Sequence, residues 1–251
     1  MTPVEGVVVV LAGVFAGGIN AVVGSGTLVT FPVLLAIGYP PVVANVSNSL
    51  GLVPGSISGA IGYRRELTGQ WTRVLRLGTA GLLGGVVGAG LLLVLPPSAF
   101  EAIVPALILL ALALVMLQPW LARKLAATQE TRHPHGGLPL LLAIFGTGVY
   151  GGYFGAAQGV LMLALMGILM DESLQRINAV KNVLAAIVNL TAGIVFVFVA
   201  DVAWLVVLLL AGGSIVGGVL GARVGRRMPA FWLRGVIVVV GIAAIVQIFA
   251  R

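Results

Sequence analysis

Three short stretches of this chain hold residues whose types and spacing could do chemistry. GSGT at 24–27 and GAAQG at 155–159 set glycines and polar or small residues inside apolar runs, and NAVKN at 178–182 sets a lysine between asparagines inside another. Each glycine-rich break precedes a short apolar run, so the helix that follows starts with unpaired amides and roughly half a positive charge at its N-terminus. Two such termini facing one cavity, with a lysine beside them, suit a small anion. The residues placed to hold it are Asn20, Gly24, Ser25, Gly26 and Thr27, then Asn48 and Ser49 of ANVSNSLGLVPGS, then Gly155, Gln158, Gly159, Lys181 and Asn182. Each has a plainer reading beside it. Glycines permit close helix packing and asparagines glue helices together, while a lysine stem can snorkel to the interface.

Other chemistries find no support. The GSG lacks the strand and further glycines of a dinucleotide loop and the Gly-Lys-Ser/Thr of a P-loop. All seven acids (Glu5, Glu66, Glu101, Glu130, Asp171, Glu172 and Asp201) sit near segment ends or loops, so no buried carboxylate awaits a cation or a proton. His133 and His135 stand in a hydrophilic stretch without an accompanying carboxylate or cysteine, which reads as solvated rather than metal-binding. Ser25 has no base near it in sequence. The chain has no cysteine, hence no disulfide or thiolate metal site. No catalytic constellation appears, so an enzyme is not expected, and neither metal nor cofactor is called for.

The elements that must position these residues are membrane helices. Hydrophobic residues make up 60% of the 251 and charged ones 8%, and the mean hydropathy is +1.16. A spanning helix takes about 20 apolar residues, and the chain divides into ten apolar runs. These are Val4–Val23, Leu28–Ile37, Val42–Tyr63, Val74–Leu95, Ala102–Leu117, Leu138–Phe154, Val160–Met170, Ile177–Val199, Val202–Leu220 and Phe231–Ala250. MTPVEGVVVV lacks the basic start of a signal peptide and reads as the opening of the first helix. The net charge of +7 comes from Arg and Lys scattered over inter-helix loops, which fits a bilayer partner and the positive-inside bias rather than nucleic acid. Trp71, Trp120, Trp204 and Trp232 fall at segment ends, as interface anchors do.

Basic clusters at 64–76, 123–132, 176 and 223–234 mark the cytoplasmic side, and the Pro96-Pro97 corner and Asp201 mark the other. That path closes only if Leu28–Ile37 and Val160–Met170 do not span. At about 1.5 Å per residue they cover half of a roughly 30 Å core, so both are expected as re-entrant or broken half-helices. The first helical hairpin then opens outside and the second inside. LLGGVVGA at 82–89 recurs as IVGGVLGA 133 residues later, and the same offset pairs Asn45 with Asn178, Asn48 with Lys181, Ser56 with Asn189 and Gly26 with Gly159. The expected fold is an all-α integral membrane bundle of two inverted five-segment repeats, 1–119 and 138–251, joined by a polar cytoplasmic linker at 120–137. The glycines of 81–90 and 212–221 read as packing faces, within the chain or in a homodimer.

Four stretches carry a family resemblance. GGINAVVGSGTLVTFPVLLAIGYPPVVANVSNSL, YGGYFGAAQGVLMLALMGIL, INAVKNVLAAIVN and GGVLGARVGRRMP resemble the sulfite exporter (TauE/SafE) family of bacterial membrane proteins, and the likeness runs over nearly the whole chain. The resemblance implies a multi-pass protein of the bacterial cytoplasmic (inner) membrane that exports sulfite, sulfoacetate or a related small inorganic or organic sulfur anion. Family members often carry more glycine in the first loop, whereas here Ser25 and Thr27 flank Gly26, and Gln158 adds a side-chain donor to the second. Alternating access by a carrier is the expected mechanism. An anion channel and a non-transporting membrane assembly protein are the alternatives.

Overall fold

The computed structural model describes residues 1–126 and 136–224, together with Val239. His133, His135, Trp232 and, apart from Val239, the run Phe231–Ala250 lie outside the described residues. Those described fold into nine helices: α1 (Pro3–Val22), α2 (Thr27–Ile37), α3 (Pro41–Gly62), α4 (Trp71–Val94), α5 (Pro97–Ala126), α6 (Gly137–Tyr153), α7 (Gln158–Leu169), α8 (Leu174–Val199) and α9 (Trp204–Val224). Segment ends follow local chemistry. Thr2 and Glu5 form a reciprocal cap ahead of Pro3, with Thr2 N donating to Glu5 Oε2 at 2.7 Å and Glu5 N to Thr2 Oγ1 at 3.3 Å. Pro41 and Pro97 open α3 and α5, where a missing amide hydrogen costs nothing. Helix α5 continues to Ala126, into the stretch read as a linker.

Five helices (α1, α4, the Pro97–Leu117 part of α5, α8 and α9) are long and apolar enough to cross a membrane. Helix α3 has the length but carries Asn45, Ser47, Asn48, Ser49, Ser56 and Ser58, every one buried inside the bundle. Helices α2 and α7 are short, at 11 and 12 residues. After each break the short helix packs against the helix before it, α2 on α1 and α7 on α6. The end of α2 at Ile37–Tyr39 lines a cavity of about 270 Å³ together with Met1 and Glu5 at the start of α1. At the opposite hairpin, Arg76 of α4 donates to Gly137 O at the start of α6, at 3.0 Å, and Arg73 pairs with Glu172 just beyond α7, also at 3.0 Å. Both ends of the α6–α7 hairpin therefore meet one turn of α4.

Helix α1 packs most closely on α9 and α6 on α4, while α3 and α8 lie between them and against each other. Glycine sets these approaches. A Cβ on Gly217 would strike Val14 O and lie 2.8 Å from Gly18 N, and one on Gly84 would strike Phe145 O and lie 2.9 Å from Val149 N. The glycine faces of α4 and α9 are thus spent on packing inside the chain. The outer stripe of α1 at Val4, Val7, Val8, Leu11 and Phe15 is exposed and apolar, as a lipid-facing surface must be. One core cluster joins α1, α2, α3 and α5, with Phe31 edge-on to Phe154 at 5.2 Å and to Phe100 at 6.5 Å. A second gathers Met162 and Met166 of α7, and Met170 after it, against α4, α6 and α8.

The glycine contact gives a direct test. Gly217→Leu forces backbone apart at the α1–α9 contact and should cost about 1–3 kcal/mol or more, as overpacking does. Thermal unfolding in detergent is expected to drop by several degrees or the monodisperse peak to vanish. Gly212→Ala, where no described residue lies within 4 Å of the added Cβ, should leave both unchanged; equal effects of the two changes would refute the packing role.

Candidate anion site at two helix breaks

Helix α1 ends at Val22 and α6 at Tyr153, and both breaks turn on a left-handed glycine. Gly24 has φ 89° and Gly155 φ 75°, a region that side chains rarely adopt. Gly24 N closes onto Ile19 O at 3.1 Å, and Gly155 N onto Tyr150 O at 3.1 Å. These bonds pair residues 131 apart, so Gly24 matches Gly155 and Gly26 matches Ala157, rather than Gly159 as the single offset of 133 suggested. The two additional residues fall between the starts of α7 and α8, beyond which the offset of 133 holds. The breaks touch each other. Gly159 N donates to Gly24 O at 3.0 Å, and a Cβ on Gly159 would lie 2.5 Å from Gly24 Cα and 3.0 Å from Lys181 Cδ.

The carbonyl ends of the broken helices are covered by side chains from the opposite half. Lys181 is fully buried and donates from Nζ to Asn20 O at 2.7 Å and Ala21 O at 3.4 Å. It therefore does not snorkel. Asn178 and Asn182 add Nδ2 donors to Ala21 O, at 3.1 and 3.2 Å. Asn45 of α3 does the same for α6, donating to Tyr153 O at 2.9 Å. Asn45 and Asn178 were legible as an aligned pair, but their capping role was not. The signal was an asparagine recurring at the position that crosses the other half's broken helix.

The amide ends are different. Among the described residues the amides of Ser25, Gly26 and Thr27, and those of Ala156 and Ala157, donate to no acceptor. Ser25 Oγ and Gln158 Nε2 are buried and equally without a partner, as are Asn178 Oδ1 and Asn182 Oδ1. Asn48 is occupied: its Nδ2 donates to Thr27 Oγ1 at 3.1 Å and its Oδ1 accepts from Thr30 Oγ1, which ties down the first turn of α2. Asn20 donates to Ser56 Oγ at 3.0 Å, and Ser49 turns its hydroxyl onto Asn45 O at 2.9 Å within its own helix. The structure thus brings Gly24, Gly159 and Lys181 into contact and leaves the donors of Ser25, Gln158 and the first amides open, while Asn20, Asn48 and Ser49 serve neighbouring protein groups.

A polar clasp fixes the segment between α7 and α8. Glu172 accepts from Arg73 at 3.0 Å and from Arg176 Nε at 2.9 Å. Arg176 Nη1 donates to Thr68 O at 3.2 Å, and Gln70 Nε2 to Arg176 O at 3.2 Å. The clasp joins the 64–70 turn and the start of α4 to the helix that carries Lys181. Burial pushes the Glu172 carboxyl up, but the bonds from Arg73, the Ser173 amide and Arg176 outweigh it and hold the group below the usual carboxylate range.

An all-helical bundle of apolar spans, with two helix breaks meeting beside a buried lysine, is the build of a multi-pass membrane transporter. The chain belongs to the sulfite exporter TauE/SafE family, whose model matches residues 9–248. It is 30% identical to the probable membrane transporter protein YfcA of Escherichia coli K12, over 85% of this chain and 76% of that one. A probable membrane transporter protein of Haemophilus influenzae shares 26% identity over 90% of this chain and 88% of its own. Probable membrane transporter protein ORF9 of a Sinorhizobium species shares 29% over 96% and 90%. No solved structure matches the chain.

The clasp makes stability depend on pH in one direction. A carboxyl with a depressed pKa contributes stability above its unfolded pKa and loses it as the pH falls through the folded one. The melting temperature in detergent should accordingly fall on the acid side of the ordinary carboxylate range, and Glu172→Gln should flatten that fall. An acid limb identical in the variant would rule out Glu172 as its source.

Proposed function

We propose that this transporter is a secondary carrier that exports a small sulfur-containing oxyanion, sulfite or an organosulfonate such as sulfoacetate, by alternating access. The observation that carries the reading is the meeting of two half-helix N-termini whose amides lack acceptors, beside the buried ammonium of Lys181. An oxyanion has acceptor oxygens on every side and suits such a ring of fixed donors, which lose no entropy on binding. The family's description as sulfite exporters supports the sulfur chemistry. In this reading Ser25 Oγ–H, Gln158 Nε2 and the amides of Ser25 to Thr27 and of Ala156 and Ala157 bind the anion. Lys181 supplies the charge, Asn182 orients the α1 end, and Gly24, Gly155 and Gly159 admit the ligand to the backbone. Asn20, Asn48 and Ser49 hold the surrounding helices in place.

Alternating access follows from an inverted arrangement of the halves. Three features support that arrangement: the two doubled-back hairpins have their ends at different places in the fold, the α1–α9 packing recurs as α6–α4, and the asparagine caps are exchanged between halves. Rocking one half against the other separates the Gly24–Gly159 contact from one side at a time. The carrier needs no buried carboxylate to move a proton with sulfite, because the second proton of sulfite titrates near neutral pH and can travel on the substrate.

Proteoliposomes loaded with labelled sulfite or sulfoacetate test this. Wild type should release one of them down its gradient at a saturable rate. Ser25→Ala and Gln158→Leu should each raise the half-saturating concentration about fivefold, the worth of one hydrogen bond near 1 kcal/mol. Lys181→Met should cut the rate at least tenfold while Lys181→Arg retains part of it. No release of any sulfur anion by folded protein would defeat the substrate assignment, and ion currents far above carrier turnover would replace the carrier with a channel.

A further inference from the structure

We propose that the groove between α3, α8 and the start of α4 binds one anionic phospholipid of the cytoplasmic leaflet, with an acyl chain in the groove and the phosphate on Arg64. The groove has a volume of about 370 Å³. Its walls are apolar, formed by Ile57 and Ile61 on α3 and by Val183, Ile187 and Leu190 on α8. Ile57, Ile61 and Leu190 are all exposed at the outer surface of the bundle, so the groove opens sideways toward lipid. From Ile57 to Arg64 it follows about 10 Å of helix rise, a path with room for a chain lying along α3.

The polarity of the groove selects its occupant. Arg64 and Trp71 stand at one end, where α3 finishes and α4 begins, while the deep end at Leu190 and Ile57 is wholly hydrocarbon. Trp71 is exposed, as an indole at the headgroup level is. Among the described residues the Arg64 guanidinium makes one hydrogen bond, from Nη1 to Ile61 O near the end of α3 at 3.4 Å. A charged head next to an apolar slot matches a phospholipid and excludes free phosphate, which would find nothing to fill the slot. Guanidinium and phosphate also pair through two parallel hydrogen bonds.

The sequence repeat provides an internal control. Position 204, 133 residues after Trp71, is also tryptophan, but the position equivalent to Arg64 is Val197. At Gly193, equivalent to Ala60, a Cβ would lie 2.5 Å from Leu50 Cδ2, so a leucine side chain occupies the space that Val183 leaves open in the groove. The equivalent place in the second half thus lacks both the open space and the arginine. With the basic loops oriented inward, the Arg64 end of the groove meets the leaflet whose negative surface potential attracts such segments. The occupant would also support α8, because Val183 in the groove wall adjoins Asn182 of the anion site.

Binding is read without transport, by thermal shift and native mass spectrometry of detergent-purified protein titrated with phosphatidylglycerol or phosphatidylcholine of matched chains. Wild type should retain phosphatidylglycerol at about tenfold lower concentration than phosphatidylcholine. Arg64→Gln should abolish that preference, whereas Arg65→Gln, one residue along in the same exposed turn, should keep it within about twofold. Ala186→Phe fills the slot with Arg64 intact and should weaken both lipids. Equal retention of the two lipids by wild type, equal losses in the two arginine variants, or undiminished binding by Ala186→Phe would each overturn the site and leave bulk lipid on an apolar face.

Discussion

A helix that stops inside a bilayer leaves carbonyls at its end, and amides at the start of the next, that no water reaches. Helices α1 and α6 stop at breaks buried within the bundle, and its polar interior is arranged around them. Lys181, Asn178 and Asn182 converge on the last carbonyls of α1, and Asn45 on that of α6. The hydroxyl of Tyr150 reaches forward to Ala156 O in the break itself, at 2.5 Å. The asparagines and the lysine come from α3 and α8, which must therefore lie at the centre with those side chains buried. A polar side chain so deep in an apolar protein is tolerable because it meets a group that would otherwise be bare.

Enclosing α3 and α8 requires the outer helices to close tightly around them. Glycine achieves this where α1 meets α9 and α6 meets α4, by letting backbone touch backbone without an intervening side chain. Lipid tails give apolar helices no hydrophobic reason to associate, so close van der Waals contact has to supply the cohesion. The glycine faces and the polar centre are thus two sides of one solution: the first holds the walls together and the second satisfies what the broken helices expose.

Much of this was legible in the sequence because membrane helices obey simple length and hydropathy rules. The two runs too short to span marked α2 and α7, and the glycines before them marked the breaks. The side-chain work inside was less legible. Asn48 looked like a ligand, yet a neighbouring turn presented Thr27 and Thr30 to both ends of its amide. Lys181 admitted two readings by depth alone, since five residues of helix separate it from Arg176 and the long stem can bridge that distance. Its target, the carbonyls of Asn20 and Ala21, lies some 160 residues away in sequence, where no local pattern points. The alignment of the halves slipped for a similar reason: an insertion between the start of α7 and that of α8 leaves the helical patterns intact and shifts the register of the turns.

The electrostatics of the breaks place more weight on Lys181 than on the glycine loops. At each break the negative C-terminal end of one helix lies within a few residues of the positive N-terminal end of the next, so their opposite half-charges largely cancel at distances well beyond their separation. Cancellation in both breaks leaves directional amides but little net field. Lys181 sets the two breaks apart: its buried amino group binds the α1 end where the negative half-charge sits, and the first-half position at the same offset holds the neutral Asn48. The two breaks therefore differ: a basic side chain meets the α1 end, whereas a neutral amide meets the α6 end. Under the proposed function, the geometry of the two loops sets where an oxyanion's oxygens would rest, and the lysine supplies the preference for negative charge.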